Sequence, residues 1–173
     1  MQTYRLAIVV LVVFTVGALP AWAQDESTVE VTPYVGFGTA AASPVGAAVT
    51  FPVTSTLSIE TDLAYRRAEG GIHALSSSTS LLYFLPRLGR STPYVAGGIG
   101  LSQYGAPLFL ASGPPVATES RVALTVNAGG GLKVPMNETL DLRTDARWFK
   151  SLGPHGSEQF RVAQGISFNV RKK

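Results

Sequence analysis

The sequence predicts an all-β fold: an eight-stranded antiparallel up-and-down transmembrane β-barrel with a polar, side-chain-filled lumen. Three observations predict it. After residue 24, helix-period patterning is absent, and eight runs of roughly nine to fourteen residues alternate in period 2 between turn residues. The charged residues of these runs share a face with the small residues, as a narrow interior requires. The connections alternate between short turns and longer loops, the asymmetry of barrels that cross a bilayer. An even number of antiparallel strands closes with both termini at one end, and closure removes the sheet edges.

The elements follow in order. Residues 1–23, MQTYRLAIVVLVVFTVGALPAWA, carry Arg5, an apolar run from Leu6 to Leu19 and the small-x-small end Ala21-Trp22-Ala23. That is the pattern of a secretory signal peptide cleaved after Ala23. The alternative, an uncleaved membrane helix, needs a span of about 20 apolar residues, which the run lacks. Residues 24–28 form a short N-terminal segment, 29–170 the barrel and 171–173 a basic tail.

The first run, Val29 to Phe37, sets Val29, Val31, Val35 and Phe37 against Glu30, Thr32 and Gly36. The second, Val45 to Val53, sets Val45, Ala47, Val49, Phe51 and Val53 against Gly46, Ala48 and Thr50. In the third, Leu57 to Arg67, Leu57, Ile59, Leu63 and Tyr65 oppose Ser58, Glu60, Asp62 and Arg66. The fourth, about Ser77 to Leu85, is apolar on both faces near its end, which leaves its register open. The fifth, Pro93 to Tyr104, is rich in Gly. The sixth, Arg121 to Val134, sets Val122, Leu124, Val126, Leu132 and Val134 against Arg121, Thr125, Asn127 and Lys133. The seventh, Thr139 to Phe149, alternates most cleanly, with Leu140, Leu142, Ala146 and Trp148 against Asp141, Arg143, Asp145 and Arg147. The eighth, Phe160 to Val170, sets Phe160, Val162, Ile166, Phe168 and Val170 against Arg161, Ala163, Gly165, Ser167 and Asn169.

Alternation alone does not say which face is wet. Four features point the apolar face outward. Gly36, Gly46, Ala48, Gly129, Gly131, Ala163 and Gly165 share the charged face and make room there for long side chains. Glu60, Asp62, Asp141 and Asp145 can pair with Arg66, Arg121, Lys133, Arg143, Arg147 and Arg161, and buried charges require such pairing. Charged residues are 14% of the chain, against about 25% in an ordinary soluble domain. Phe37, Phe51, Tyr65, Tyr94, Trp148 and Phe168 lie near strand ends, where interfacial girdles sit. Turning the seventh run over would place four charges on lipid at a cost of roughly 5–10 kcal/mol.

The short connections are Thr54-Ser55-Thr56, Arg87 to Ser91 and Pro135 to Glu138. The longer ones are Gly38–Pro44, Ala68–Leu75, Gly105–Ser120 and Ser151–Gln159.

The stretch TPYVAGGIG (92–100) resembles the Gly-rich strand of small outer-membrane β-barrel proteins, the OmpA/OmpX-type and opacity-porin group. NAGGGLKVPMNETLDLRTDARWF (127–149) resembles the hairpin of the same group, in the expected order. The resemblance implies an exported protein of a Gram-negative outer membrane, with the long loops extracellular. The last strand is similar to the assembly signal of such barrels through Gly165, Phe168 and Val170. It departs from it in having Val170 where an aromatic residue is usual and in continuing into Arg171-Lys172-Lys173. The implied partners are outer-membrane lipids, the barrel-assembly machinery and periplasmic chaperones, and a monomer is expected. Loop 105–120, with Pro107-Leu108-Phe109-Leu110 and Pro114-Pro115-Val116, reads equally as a site for an extracellular ligand or interface-dipping loop and as a loop folded over its own barrel rim. No cofactor is implied.

Other chemistry finds little support. With no Cys, disulfides, thiolate metal sites, thiol nucleophiles and a lipidated N-terminal Cys are excluded. Two His argue against a multi-histidine metal site, and the scattered basic charge against nucleic acid. Gly129-Gly130-Gly131-Leu132-Lys133 lacks the Ser/Thr ending and the helix of a phosphate loop. His155-Gly156-Ser157-Glu158 superficially resembles the His-x-Ser pair of outer-membrane lipid A deacylases. Here it falls in a loop, without the expected Asn, and His73 likewise falls in a Gly-rich loop. The Asp141, Arg143, Asp145 and Arg147 series reads as a lumenal ion-pair ladder rather than catalytic carboxylates. Three roles stay open: a structural or surface-interaction barrel, a small low-conductance pore and, remotely, a lipid-modifying enzyme. A soluble periplasmic barrel is the architectural alternative.

Overall fold

The alternation becomes the two faces of one closed sheet. The computed structural model describes residues 28–39, 43–67, 73–109, 115–153 and 156–170, with the backbone alone described over 106–109 and 115–120. The signal segment, the 171–173 tail and His155 lie outside the described residues. Eight strands follow one another: β1 (Val29–Gly38), β2 (Val45–Pro52), β3 (Leu57–Arg67), β4 (His73–Phe84), β5 (Thr92–Phe109), β6 (Pro115–Pro135), β7 (Leu140–Leu152) and β8 (Glu158–Val170). Each pairs antiparallel with the next, and β1 pairs antiparallel with β8 to close the barrel. The fold class expected from the sequence is the one observed.

Val29 pairs with Val170, so both ends of the barrel chain meet at one rim, together with the turns 53–56, 85–91 and 136–139. This terminal rim is held by side chains that mimic backbone acceptors, as short polar residues do in tight turns. Thr54 Oγ1 accepts from Leu57 N at 3.0 Å, and Asn137 Oδ1 accepts from Leu140 N at 2.8 Å. Gly89 takes φ +62° in the middle turn, a conformation open to Gly.

The opposite, loop rim corrects one expectation. The long connection expected over Gly105–Ser120 is mostly strand. β5 continues to Phe109 and β6 starts at Pro115, with pairing from Gly105↔Ser120 onward to Phe109↔Pro115. β4 ends its pairing with β5 at Gly105, and β7 ends its pairing with β6 at Leu124. The β5–β6 hairpin therefore rises past its neighbours as a two-stranded ribbon. The asymmetry between the rims resides in strand length (18 and 21 residues for β5 and β6) more than in loop length. The other connections at this rim, 39–44, 68–72 and 153–157, are scarcely longer than the turns.

The register of β4, open in the sequence, is settled by its pairs: Glu60↔Ser80 and Leu82↔Ala96 put Ser78, Ser80 and Leu82 inside and Leu81 and Tyr83 outside. The strand also begins four residues earlier than its pattern suggests, and His73 is its first residue rather than part of a loop.

Polarity is inverted relative to a soluble domain. Val35, Leu63, Leu81, Ile99, Leu124 and Ile166 are exposed on the outer wall, while Glu60, Asp62, Arg143, Asp145, Arg147 and Arg161 are buried inside. On β8 the outward series runs from Phe160 to Val170 with only uncharged residues. At ~3.3 Å per residue and a tilt of ~40° that band is about 25 Å tall. Exposed aromatics bound it: Phe37, Tyr65, Trp148 and Phe160 toward the loop rim, Phe51, Tyr83 and Phe168 toward the terminal rim. Tyr94, expected in the same girdle, instead points into the lumen and is 2% exposed.

Candidate functional site

Inward positions place the lumenal side chains in three tiers. The middle tier is a closed ionic cluster. Glu60 projects from β3 and reaches the opposite wall, where Arg143 and Arg147 stand four residues apart on β7, with inward Asp145 between them. Arg143 Nη1 pairs with Glu60 Oε2, and Arg147 Nη2 lies 2.5 Å from Glu60 Oε1. Arg147 Nε is 2.9 Å from Asp145 Oδ1. Arg161, on β8, pairs with Asp62 of β3 at 3.2 Å and approaches Asp145 at 3.9 Å. Three guanidinium groups thus meet three carboxylates, and the formal charges cancel. In a low-dielectric interior only such a matched and hydrogen-bonded set offsets the cost of desolvation.

Two tyrosines, absent from the sequence-derived set, complete the cluster. Tyr34 OH donates to Asp62 Oδ2 at 2.6 Å and accepts from Arg161 Nη1 at 2.7 Å. Tyr94 OH donates to Asp145 Oδ2 at 2.7 Å and accepts from Arg143 Nε at 2.8 Å. Each ring also faces its arginine, with guanidinium carbons 4.8 Å from the Tyr34 centroid and 4.9 Å from the Tyr94 centroid. The sequence signal for both was parity combined with glycine. Tyr34 shares the face of Glu30 and Thr32 and pairs with Gly46 and Gly165, and Tyr94 pairs with Gly131. A Cβ on Gly46 would stand 2.5 Å from the Tyr34 hydroxyl, and one on Gly131 2.6 Å from the Tyr94 ring. The glycines are the space the phenol rings occupy.

The terminal tier holds Lys133, which pairs with Glu30 and lies 3.5 Å from Asp141. Asn169 Nδ2 donates to Asp141 at 3.2 Å. Glu30 was not among the residues singled out from the sequence, although its inward parity was legible.

The tier at the loop rim departs from the expected pairing. Arg66 meets no carboxylate among the described residues: Nη1 donates to Gln159 Oε1, and the guanidinium stacks 5.8 Å from the Tyr104 centroid. Arg121 has inward parity but stands exposed, because β6 has by then climbed past β7. It lies outside the central cluster.

Free space follows the same division. Around the central cluster the cavity is about 20 Å³, lined by Tyr34, Glu60, Asp62, Arg143, Arg147 and Arg161 among others. That is room for about one water, since a water needs some 10–15 Å³ of such volume. Toward the loop rim a cavity of about 50 Å³ opens between Arg66, Tyr104, Ser151, Gln159 and Arg161.

The Ser157 and Glu158 side chains diverge. Ser157 Oγ donates to Ser151 Oγ at 3.4 Å, while Glu158 pairs with Lys150 at 3.1 Å on the exposed wall. Among the described residues no group of His, Asp or Glu is arranged to hold a metal ion. Gly165 stands against Tyr34, and Phe168 and Val170 face outward at the terminal rim.

No family model matches the sequence, and no curated protein matches it. Solved structures do match. Neisserial surface protein A has a TM-score of 0.63 at 10% identity, covering 83% of this chain and 96% of that one. The N-terminal β-barrel domain of Pseudomonas aeruginosa OprF has a TM-score of 0.59 at 19% identity, covering 84% and 100%. The outer membrane enzyme PagL has a TM-score of 0.51 at 17% identity, covering 82% and 99%. At these identities the likeness establishes a shared eight-stranded barrel fold.

Proposed function

We propose that the protein is an integral outer-membrane β-barrel of a Gram-negative bacterium with a structural or surface-interaction role, its loop rim facing the exterior. One observation carries the reading: an uncharged apolar wall about 25 Å tall surrounds a lumen whose buried charges are paired with one another. That wall in water would be a hydrophobic patch far beyond the few hundred Å² that soluble monomers expose. The resemblance to OmpA/OmpX-type and opacity-porin barrels, and the barrels it matches in structure, support the same location. The chain then reaches the membrane through its N-terminal signal, chaperones and the assembly machinery, with Gly165, Phe168 and Val170 as the recognised end. The β5–β6 ribbon is the part presented farthest from the wall, and a ligand would meet it first.

The ionic cluster argues against a pore. An ion crossing the middle tier would have to separate pairs such as Arg147–Glu60 and Arg161–Asp62, where the cavity admits about one water. The divergence of Ser157 and Glu158 argues against the lipid-modifying alternative. The test is expression of the full chain followed by fractionation and gel migration. A membrane-bound species whose mobility changes on boiling is expected; a species recovered in the soluble fraction without detergent overturns the reading in favour of the periplasmic barrel.

A further inference from the structure

We infer that the lumenal mouth at the loop rim is a binding site for a single tetrahedral oxyanion, such as inorganic phosphate or sulfate. The argument starts from charge. The six ionic groups of the middle tier sum to zero, so they add no net charge beneath the mouth. Arg66 is different: its hydrogen-bonding partner is neutral Gln159, it lies over the Tyr104 ring, and no described carboxylate comes within ion-pair distance. It therefore contributes a full positive charge at the opening of a cavity with low-dielectric walls, where fields are focused rather than screened.

The floor of that cavity supplies a hydrogen-bond donor on Arg161, whose charge Asp62 already matches. Arg161 is 8% exposed, and its two terminal nitrogens are engaged by Tyr34 and Asp62. Its Nε is buried with no hydrogen-bond partner. A buried guanidinium N–H without an acceptor is costly, so an acceptor oxygen entering the cavity has something to satisfy.

Hydroxyl groups line the space between the two arginines. Gln159 Nε2 donates to Tyr104 OH at 3.2 Å, and Tyr104 OH lies 3.2 Å from Ser151 Oγ. These rotors can turn to donate to an anion, since each hydroxyl is both donor and acceptor. The volume, about 50 Å³, holds roughly three or four waters. That suits one compact oxyanion and excludes a sugar ring or an acyl chain. The barrel wall separates the cavity from surrounding lipid, so the anion arrives from solution at the loop rim. The inference needs only the closed barrel and is independent of which membrane, if any, surrounds it.

The experiment is calorimetric titration of inorganic phosphate into the full barrel folded in neutral detergent at low ionic strength, repeated with sulfate and chloride. Saturable binding is expected, with sulfate competing and chloride at equal ionic strength not competing. Arg66→Gln should weaken phosphate binding at least about tenfold, the loss of roughly one charge-assisted contact. Gln159→Glu, which supplies Arg66 with an internal carboxylate and does not threaten folding, should weaken it similarly. Arg67→Gln, on the outward face of the same strand, should leave it unchanged. Absence of saturable binding up to about 10 mM phosphate overturns the proposal. So do equal competition by chloride and equal loss in Arg67→Gln, which would mark diffuse attraction. Tight binding retained in both Arg66→Gln and Gln159→Glu overturns it as well.

Discussion

Glu60→Gln isolates the ionic cluster. Glu60 is 1% exposed and receives both Arg143 and Arg147, with Thr50 Oγ1 donating to it at 3.1 Å. Glutamine keeps the shape and one acceptor oxygen but removes the charge. Arg143 and Arg147 are then left with Asp145, and the cluster carries one uncompensated positive charge in a space that admits about one water. Removing one partner of a buried ion pair typically costs 3–5 kcal/mol. The residual hydrogen bond places this substitution near the lower end, about 3 kcal/mol. With a urea slope of about 2 kcal/mol per molar, the unfolding midpoint should fall by roughly 1.5 M. The assay is urea unfolding in lipid vesicles followed by tryptophan emission. Only Trp22 and Trp148 occur in the chain, so removal of the signal segment leaves Trp148 as the sole reporter, on the outer wall near the loop rim. The decisive variant is the pair Glu60→Gln with Arg147→Met. Neutralising both partners restores charge balance and should recover at least half of the loss, a coupling of about 1–3 kcal/mol. A single-variant shift below about 0.3 M, or a double variant as unstable as the sum of the two singles, refutes the reasoning that the charges hold one another.

Further outcomes follow from the same geometry. Ile99→Arg, at mid-height on the outer wall and 63% exposed, should cost about 2–4 kcal/mol in bilayers, against a few tenths for an exposed site in water; vesicle and detergent-free measurements separate the two. Tyr94→Phe removes one donor to Asp145 and one acceptor for Arg143, and should lower stability by roughly 1–3 kcal/mol by the same unfolding assay. Gly46→Ala should cost about 1–3 kcal/mol, because the new methyl meets the Tyr34 ring and the Leu63 carbonyl; a neutral result would show that the ring has room to retreat. In planar bilayers the unaltered barrel should pass little current, and Arg147→Ala should raise it by opening the middle tier; large conductance in the unaltered protein would sink the plug.

The sequence by itself determined the number of strands, the closure they permit and, on the cleanly alternating strands, which side chains share the inward face. Those properties are local: successive residues of a pleated strand point to opposite sides, so Asp141, Arg143, Asp145 and Arg147 declare a shared face before anything else is known. It did not determine partners. Glu60 meets Arg143 and Arg147 only because closure brings β3 opposite β7, and Arg66 meets Gln159 only because β1–β8 pairing carries β8 round to that wall. Tyr94 passed for a girdle aromatic because a ring near a strand end suits either face until its parity against Gly131 is fixed by register. The ribbon of β5 and β6 was hidden for the opposite reason: Pro107 and Pro115 read as loop residues, and pairing across the hairpin overrode that local preference. Curvature, stagger and diameter belong to the whole cylinder, and they alone decide which inward charges lie within reach of one another.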